Sequence, residues 1–121
     1  MAKKLRSRRR AAARQQFNLC FYCSVPMWEQ DPPSQLLQIT KSIALADRLR
    51  CTVEHLDPRS DGGSDDARNI VAACAFCNQT RHRAKRPLAP NKYRLYVRAR
   101  MMKGRWHPEL IHRFVIAEVL K

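Results

Sequence analysis

An α+β fold is predicted: a small ββα unit stapled by four cysteines and flanked by helices. Three observations predict it. The cysteines include two Cys-x-x-Cys pairs, Cys20/Cys23 and Cys74/Cys77, in a chain of 121 residues that has little room for a core. Two short β-prone runs, 50–56 and 69–73, flank an acidic loop containing Gly62-Gly63. The second cysteine pair then runs into a helix-compatible stretch, ACAFCNQTRHRAKR, that stops by Pro87.

The chain is read as one domain with basic extensions, divided at 1–16, 17–86 and 87–121. Residues 1–16 carry seven basic side chains and no acid, and the Ala11–Ala13 run with its arginines favours helix. This segment is a nucleic-acid-binding arm or a solvated tail. In FNLCFYCSVPM, 17–27, two residues between cysteines permit a tight reversal, with Phe17, Phe21 and Tyr22 packed around it. WEQDPP, 28–33, is a loop, because paired prolines continue neither helix nor central strand. Leu36, Leu37, Ile39, Ile43, Ala44 and Leu49 give one packing helix over 34–49, with Ser34 as N-cap.

Strand 50–56 leads into DPRSDGGSDD, where the glycines allow a sharp return to strand 69–73. Beyond the ββα unit, residues 81–105 hold ten Lys or Arg and no acid, interleaved with or bordered by Tyr93, Tyr96 and Trp106. Such a pattern suits a sugar–phosphate backbone. After His107-Pro108 a terminal helix follows, with Leu110, Ile111, Phe114, Val115 and Val119 as its apolar stripe.

Charge narrows the partners. With 24 Lys and Arg against 10 acids the net charge is +14; four thiolates and one Zn²⁺ would lower it by only two. A phosphate backbone or an anionic surface is the expected partner. No apolar run approaches the roughly 20 residues of a membrane span, and the basic N-terminus lacks an apolar signal segment. The expectation is an intracellular, cytoplasmic protein with reduced cysteines and no membrane partner.

Cys20, Cys23, Cys74 and Cys77 are four soft thiolates in two knuckles, the ligand set of a closed structural zinc site. The 50-residue gap between the pairs is filled by the inserted helix. Cys51 is left over as a small buried strand residue. A second centre is read around Glu54, His55 and Asn78. A carboxylate and an amide oxygen suit Mg²⁺ or Mn²⁺, and a neutral imidazole beside them can take a proton from water. Asp57 is a further candidate support for that cation, whereas Asp61, Asp65 and Asp66 read as turn formers.

The order C-x₂-C … E-H-L-D-P-R-S-D-G-G … N-I-V … C-x₂-C-N resembles the HNH endonucleases, metal-dependent nucleases with a ββα-metal core. The resemblance covers residues 20 to about 82 and is most specific over 54–78. It implies His55 as general base, Glu54 as metal ligand and Asn69 as the brace of the interstrand loop. Asn78 falls at the family's third signature position, which is Asn here rather than His. His82, one turn on, is a further candidate ligand or phosphate contact, or a solvated histidine.

The reading is therefore a metal-dependent endonuclease acting on DNA, most naturally double-stranded, with one structural zinc and one catalytic Mg²⁺ or Mn²⁺. Arg8, Arg9, Arg10, Arg81, Arg83, Lys85, Arg86, Arg94 and Arg98 are the expected backbone contacts, without base reading. One chain would nick, and a homodimer would cut both strands. Similar small nucleases occur in phage and bacterial settings. A non-catalytic zinc-dependent DNA- or RNA-binding module is the alternative, and a thiol–disulfide redox protein a third reading.

Overall fold

The computed structural model describes residues 2–121. Helix α1, Lys3–Gln15, forms where the alanine- and arginine-rich sequence predicts it. It lies against both strands of the sheet and buries Leu5 and Ala13. Its C-terminus is pinned by Gln16. The Gln16 side-chain amide donates to the Ala72 carbonyl (2.8 Å) and accepts from the Ala72 amide (2.9 Å), so it pairs with the outer edge of a strand as another strand would.

The chain then reverses through Phe17 and Asn18, both at positive φ (56° and 62°). Asn18 and Met27 close the hairpin that presents the first knuckle. Ser24, also at positive φ (62°), takes the left-handed position of that knuckle. Tyr22 is buried and Phe21 half-buried, but Phe17 is 86% exposed. The positive-φ turn carries Phe17 away from the core, contrary to the packing expected for it.

The predicted single helix over 34–49 is two helices, α2 (Ser34–Thr40) and α3 (Ile43–Asp47). Lys41 ends the first in a left-handed conformation (φ 51°), and Ser42 caps the second by accepting from the Leu45 amide at 3.1 Å. Pro33, not Ser34, precedes the first turn of α2. The break resets the helical phase. Ile43 and Ala44 therefore face solvent, while Leu36, Ala46 and Leu49 are buried.

Strands β1 (Cys51–His55) and β2 (Ile70–Cys74) pair antiparallel, with Cys51 opposite Cys74 and His55 opposite Ile70. Helix α4, Ala75–Arg83, follows without a linker, completing the ββα unit. Helix α5 (Pro90–Met102) begins on a proline, as an N1 position favours. Helix α6 (Glu109–Val119) packs on α2. Its inner face is Ile111 and Phe114; Val119, expected in the stripe, is 76% exposed on the last turn. The core surrounds the cysteines: Tyr22, Val25, Leu36, Leu49, Ala72, Val97 and Phe114 all pack into it. Mixed helix, a two-stranded sheet and four clustered cysteines make the small α+β fold that was predicted. Among the described residues no helix is long and apolar enough to cross a membrane.

Candidate metal centre and active-site rim

Cys20, Cys23, Cys74 and Cys77 meet with one sulfur each, all four within 4.8 Å of one another and all buried. Four sulfurs bound at about 2.3 Å around a tetrahedral ion lie about 3.8 Å apart, and Cys23 Sγ and Cys74 Sγ are 3.9 Å apart. The donor set therefore fits a structural zinc. Its surroundings fit thiolates as well. Cys20 Sγ accepts from the amides of Tyr22 (3.4 Å) and Cys74 (3.3 Å), and Cys74 Sγ accepts from the Cys77 amide (3.4 Å). Trp106 Nε1 donates to Cys77 Sγ at 3.2 Å.

His107 completes this shell. Arg48, which can only donate, reaches its Nδ1 from Nη2 at 3.2 Å. The ring proton must then sit on Nε2, which faces Cys23 Sγ at 3.4 Å. Burial, with the Arg48 charge beside it, pushes the imidazole down to about 3, so it stays neutral. Cys51 lies outside the cluster, and burial pushes its thiol up to about 11. Tyr93 and Trp106, expected at a nucleic-acid surface, turn inward instead. The Tyr93 hydroxyl donates to the Cys77 carbonyl at 2.7 Å, and Trp106 is the sulfur donor described above.

The four-sulfur centre ties the first knuckle to the junction of β2 and α4, β1 is held by pairing with β2, and a second group forms where α4 meets β1. Asn78, Arg81 and His82 share one face of α4, spaced i, i+3, i+4, and all three turn toward β1. Asn78 Nδ2 donates to Thr52 Oγ1 (3.0 Å) and the Val53 carbonyl (2.8 Å). Arg81 Nη1 donates to Glu54 Oε2 at 3.0 Å, and His82 Nε2 lies 2.8 Å from Glu54 Oε1. Glu54 is 1% exposed, so its carboxylate depends on these partners. Tyr22 supplies another, its hydroxyl donating to Oε2 at 2.8 Å. Burial and then the Glu54 charge push the Tyr22 phenol upward, which keeps it a donor.

His55 turns to the interstrand loop, where its Nε2 meets Asp65 Oδ1 at 2.8 Å. Arg59 grips the same carboxylate through two nitrogens, and the Arg8 guanidinium reaches the Asp65 carbonyl. Asp65 is consequently held below the usual carboxylate range, first by the His55 hydrogen bond and then by Arg59. Asn69 ties the two ends of the loop: Oδ1 accepts from the Asp57 amide (2.8 Å), and Nδ2 donates to the carbonyls of Asp57 (3.1 Å) and Ser64 (2.7 Å). Gly62 takes positive φ (85°), whereas Gly63 is needed for space, because a Cβ there would lie 1.7 Å from the Asp57 carbonyl oxygen.

The structure separates the expected backbone contacts. Arg10, Arg83, Lys85 and Arg86 are exposed. Arg9 pairs loosely with Glu29 (3.7 Å), Arg94 stacks over Phe21, and Arg98 donates to the Tyr22 carbonyl and Ser24 Oγ. Arg81 is buried on Glu54. Sequence reasoning missed Tyr22, Asp65 and His107. Only Tyr22 carried a signal, as an aromatic inside a knuckle whose hydroxyl needs a partner once buried.

No curated protein and no solved structure matches the chain. The expected family likeness is carried by one segment: residues 42–84, comprising α3, the sheet with its loop, and α4, match the family model of the HNH endonuclease.

Proposed function

We propose that the chain is a metal-dependent endonuclease that hydrolyses phosphodiester bonds in DNA, with His55 as general base. The observation that carries this reading is the rim itself. A buried carboxylate and a half-exposed imidazole, Glu54 Oε1 and His82 Nε2, converge to 2.8 Å beside the His55 position on β1. These two residues would hold the divalent cation. One oxygen and one nitrogen suit Mn²⁺ at least as well as Mg²⁺. When bound, the cation supplies charge stabilisation to the phosphate and the leaving oxygen. Asn78 commits its amide nitrogen to Thr52 and Val53, which keeps its amide oxygen as a further candidate ligand, and His82 supplies the imidazole on α4.

His55 is oriented for its task. Asp65 is an acceptor when ionised, so the His55 proton sits on Nε2 and the Nδ1 lone pair is left to take a proton from water. Asn69 and Arg59 hold the loop and the carboxylate that set this tautomer. The substrate backbone is met by exposed cations. Lys3, Arg6, Arg10 and Arg14 form a stripe along the outer face of α1, spaced by three or four residues. Arg83, Lys85 and Arg86 follow α4. Both groups suit salt-sensitive binding to phosphates without base reading.

The test is nicking of supercoiled plasmid by the wild type and by His55→Ala, each with Mg²⁺, Mn²⁺ or EDTA and each confirmed to hold zinc. We expect nicking by the wild type only with an added cation, and a loss of about 10²–10⁴-fold in the variant. If both proteins shift DNA in salt-dependent fashion yet neither cuts under any ion, the chain is a zinc-dependent binding module instead.

A further inference from the structure

We infer that Tyr22 is a positioning residue for the Glu54 carboxylate, so that the first cysteine knuckle sets how well the rim holds its divalent cation. This rests on the assignment of Glu54 and His82 as the cation-holding pair.

The two carboxylate oxygens of Glu54 have different surroundings. Oε2 faces inward and receives two donors, Tyr22 Oη at 2.8 Å and Arg81 Nη1 at 3.0 Å. Among the described residues Oε1 meets only His82, whose side chain is one-third exposed. The inner donors thus leave one oxygen to be presented at the rim. They differ in kind. Arg81 brings a full positive charge next to the carboxylate, which opposes an incoming cation, whereas Tyr22 orients the group with a neutral dipole.

Tyr22 is itself held by the metal centre. It lies between Cys20 and Cys23, and its amide donates to Cys20 Sγ at 3.4 Å. Its ring is edge-packed against Phe21 (5.2 Å) and Tyr93 (4.8 Å), and the Tyr93 hydroxyl is tied to the Cys77 carbonyl. The phenol is therefore referenced to both knuckles, 32 residues away in sequence from the carboxylate that it orients. Without the hydroxyl, Arg81 alone would hold the inner side, and its fork could draw both oxygens away from His82. The Tyr22 contact is an outer partner of a metal ligand, a class whose loss typically weakens metal affinity about 10–100-fold.

The experiment measures Mn²⁺ binding by the electron paramagnetic resonance signal of free Mn²⁺, using zinc-loaded wild type, Tyr22→Phe and Glu54→Gln. We expect Tyr22→Phe to keep one zinc per chain and to bind Mn²⁺ about 10-fold more weakly, with Glu54→Gln weaker still. Unchanged affinity in Tyr22→Phe, with binding lost in Glu54→Gln, would overturn the inference and leave the rim assignment standing. Unchanged affinity in Glu54→Gln would overturn both. Should Tyr22→Phe fail to retain zinc, the wild type labelled with carbon-13 at tyrosine Cζ answers the same question. A Tyr22 resonance that shifts with the midpoint of a Mg²⁺ titration supports the inference, and one that stays fixed while Mg²⁺ binds refutes it.

Discussion

The four-sulfur centre and the Glu54–His82 rim lie at opposite ends of the same helix–strand junction, yet they are built by opposite rules. The sulfur centre is closed. Every ligand is buried, three sulfurs accept backbone or indole N–H groups, and the fourth faces the imidazole of His107. The rim is open. It offers one carboxylate oxygen and one partly exposed imidazole, leaving most positions of any bound cation to solvent or substrate. A closed site adds to folding stability, and an open one leaves room for a reacting group. The two are coupled mechanically, because Cys74 ends β2 and caps α4, and α4 carries Asn78, Arg81 and His82.

That asymmetry is broken most severely by Cys74→Ser. The substitution removes one sulfur of the four-cysteine cluster, which also accepts from the Cys77 amide at the first turn of α4. Zinc supplies about 10 kcal/mol or more to small zinc-dependent folds, as much as the whole stability of a typical domain. The variant is expected to bind no zinc stoichiometrically and to lose its cooperative thermal transition. A cooperatively folded, zinc-free Cys74→Ser chain would show that the core stands without the staple.

A milder break separates the rim from the staple. Gly63→Ala places a methyl group 1.7 Å from the Asp57 carbonyl oxygen, so the loop must move. With it go the Asn69 hydrogen bonds and the Asp65 contact to His55. A displacement of about 1 Å at a reacting group can cost about 100-fold in rate. Nicking is expected to fall by that order while zinc content stays at one per chain. Nicking at the wild-type rate would mean that the loop does not position the base.

Legibility in the sequence follows the same division. The staple was readable because two sulfurs separated by two residues reverse locally, and the core strands were readable from their short apolar runs. Glu54, His55 and Asn69 were singled out through the family resemblance, and the fold places them around one loop and strand end. The environment of Glu54 was not, since Tyr22 and Arg81 reach it across 32 and 27 residues. Arg81 sat in an unbroken basic run and read as a phosphate contact, but the i, i+3 geometry of α4 turns it onto a buried carboxylate. Asp65 read as a turn former, one of four acids in ten residues; only the folded loop distinguishes it by bringing it to His55. The break between α2 and α3 did leave a local mark in Ser42, which was obscured by the apolar residues on either side.

The smallest expected effect tests how far the closed centre depends on a neutral imidazole. His107 is held down to about 3 in the fold, whereas an unfolded histidine titrates near about 6.5. Below that value the unfolded chain takes up a proton that the folded chain refuses, so stability falls as pH falls. The contribution is complete above about 6.5 and is lost progressively toward about 3. At pH 5.5 the loss attributable to His107 is on the order of 1 kcal/mol. The cysteines also take up protons as zinc is released, and in the same direction, so the comparison needs a variant that keeps them. Glutamine retains one donor for Cys23 and one acceptor for Arg48 but does not titrate. With zinc in excess, denaturant unfolding at pH 7.5 and 5.5 is therefore expected to show a steeper fall for the wild type than for His107→Gln. Parallel losses would show that His107 is protonated in the fold well above its assigned range, and that the centre tolerates an imidazolium beside Arg48.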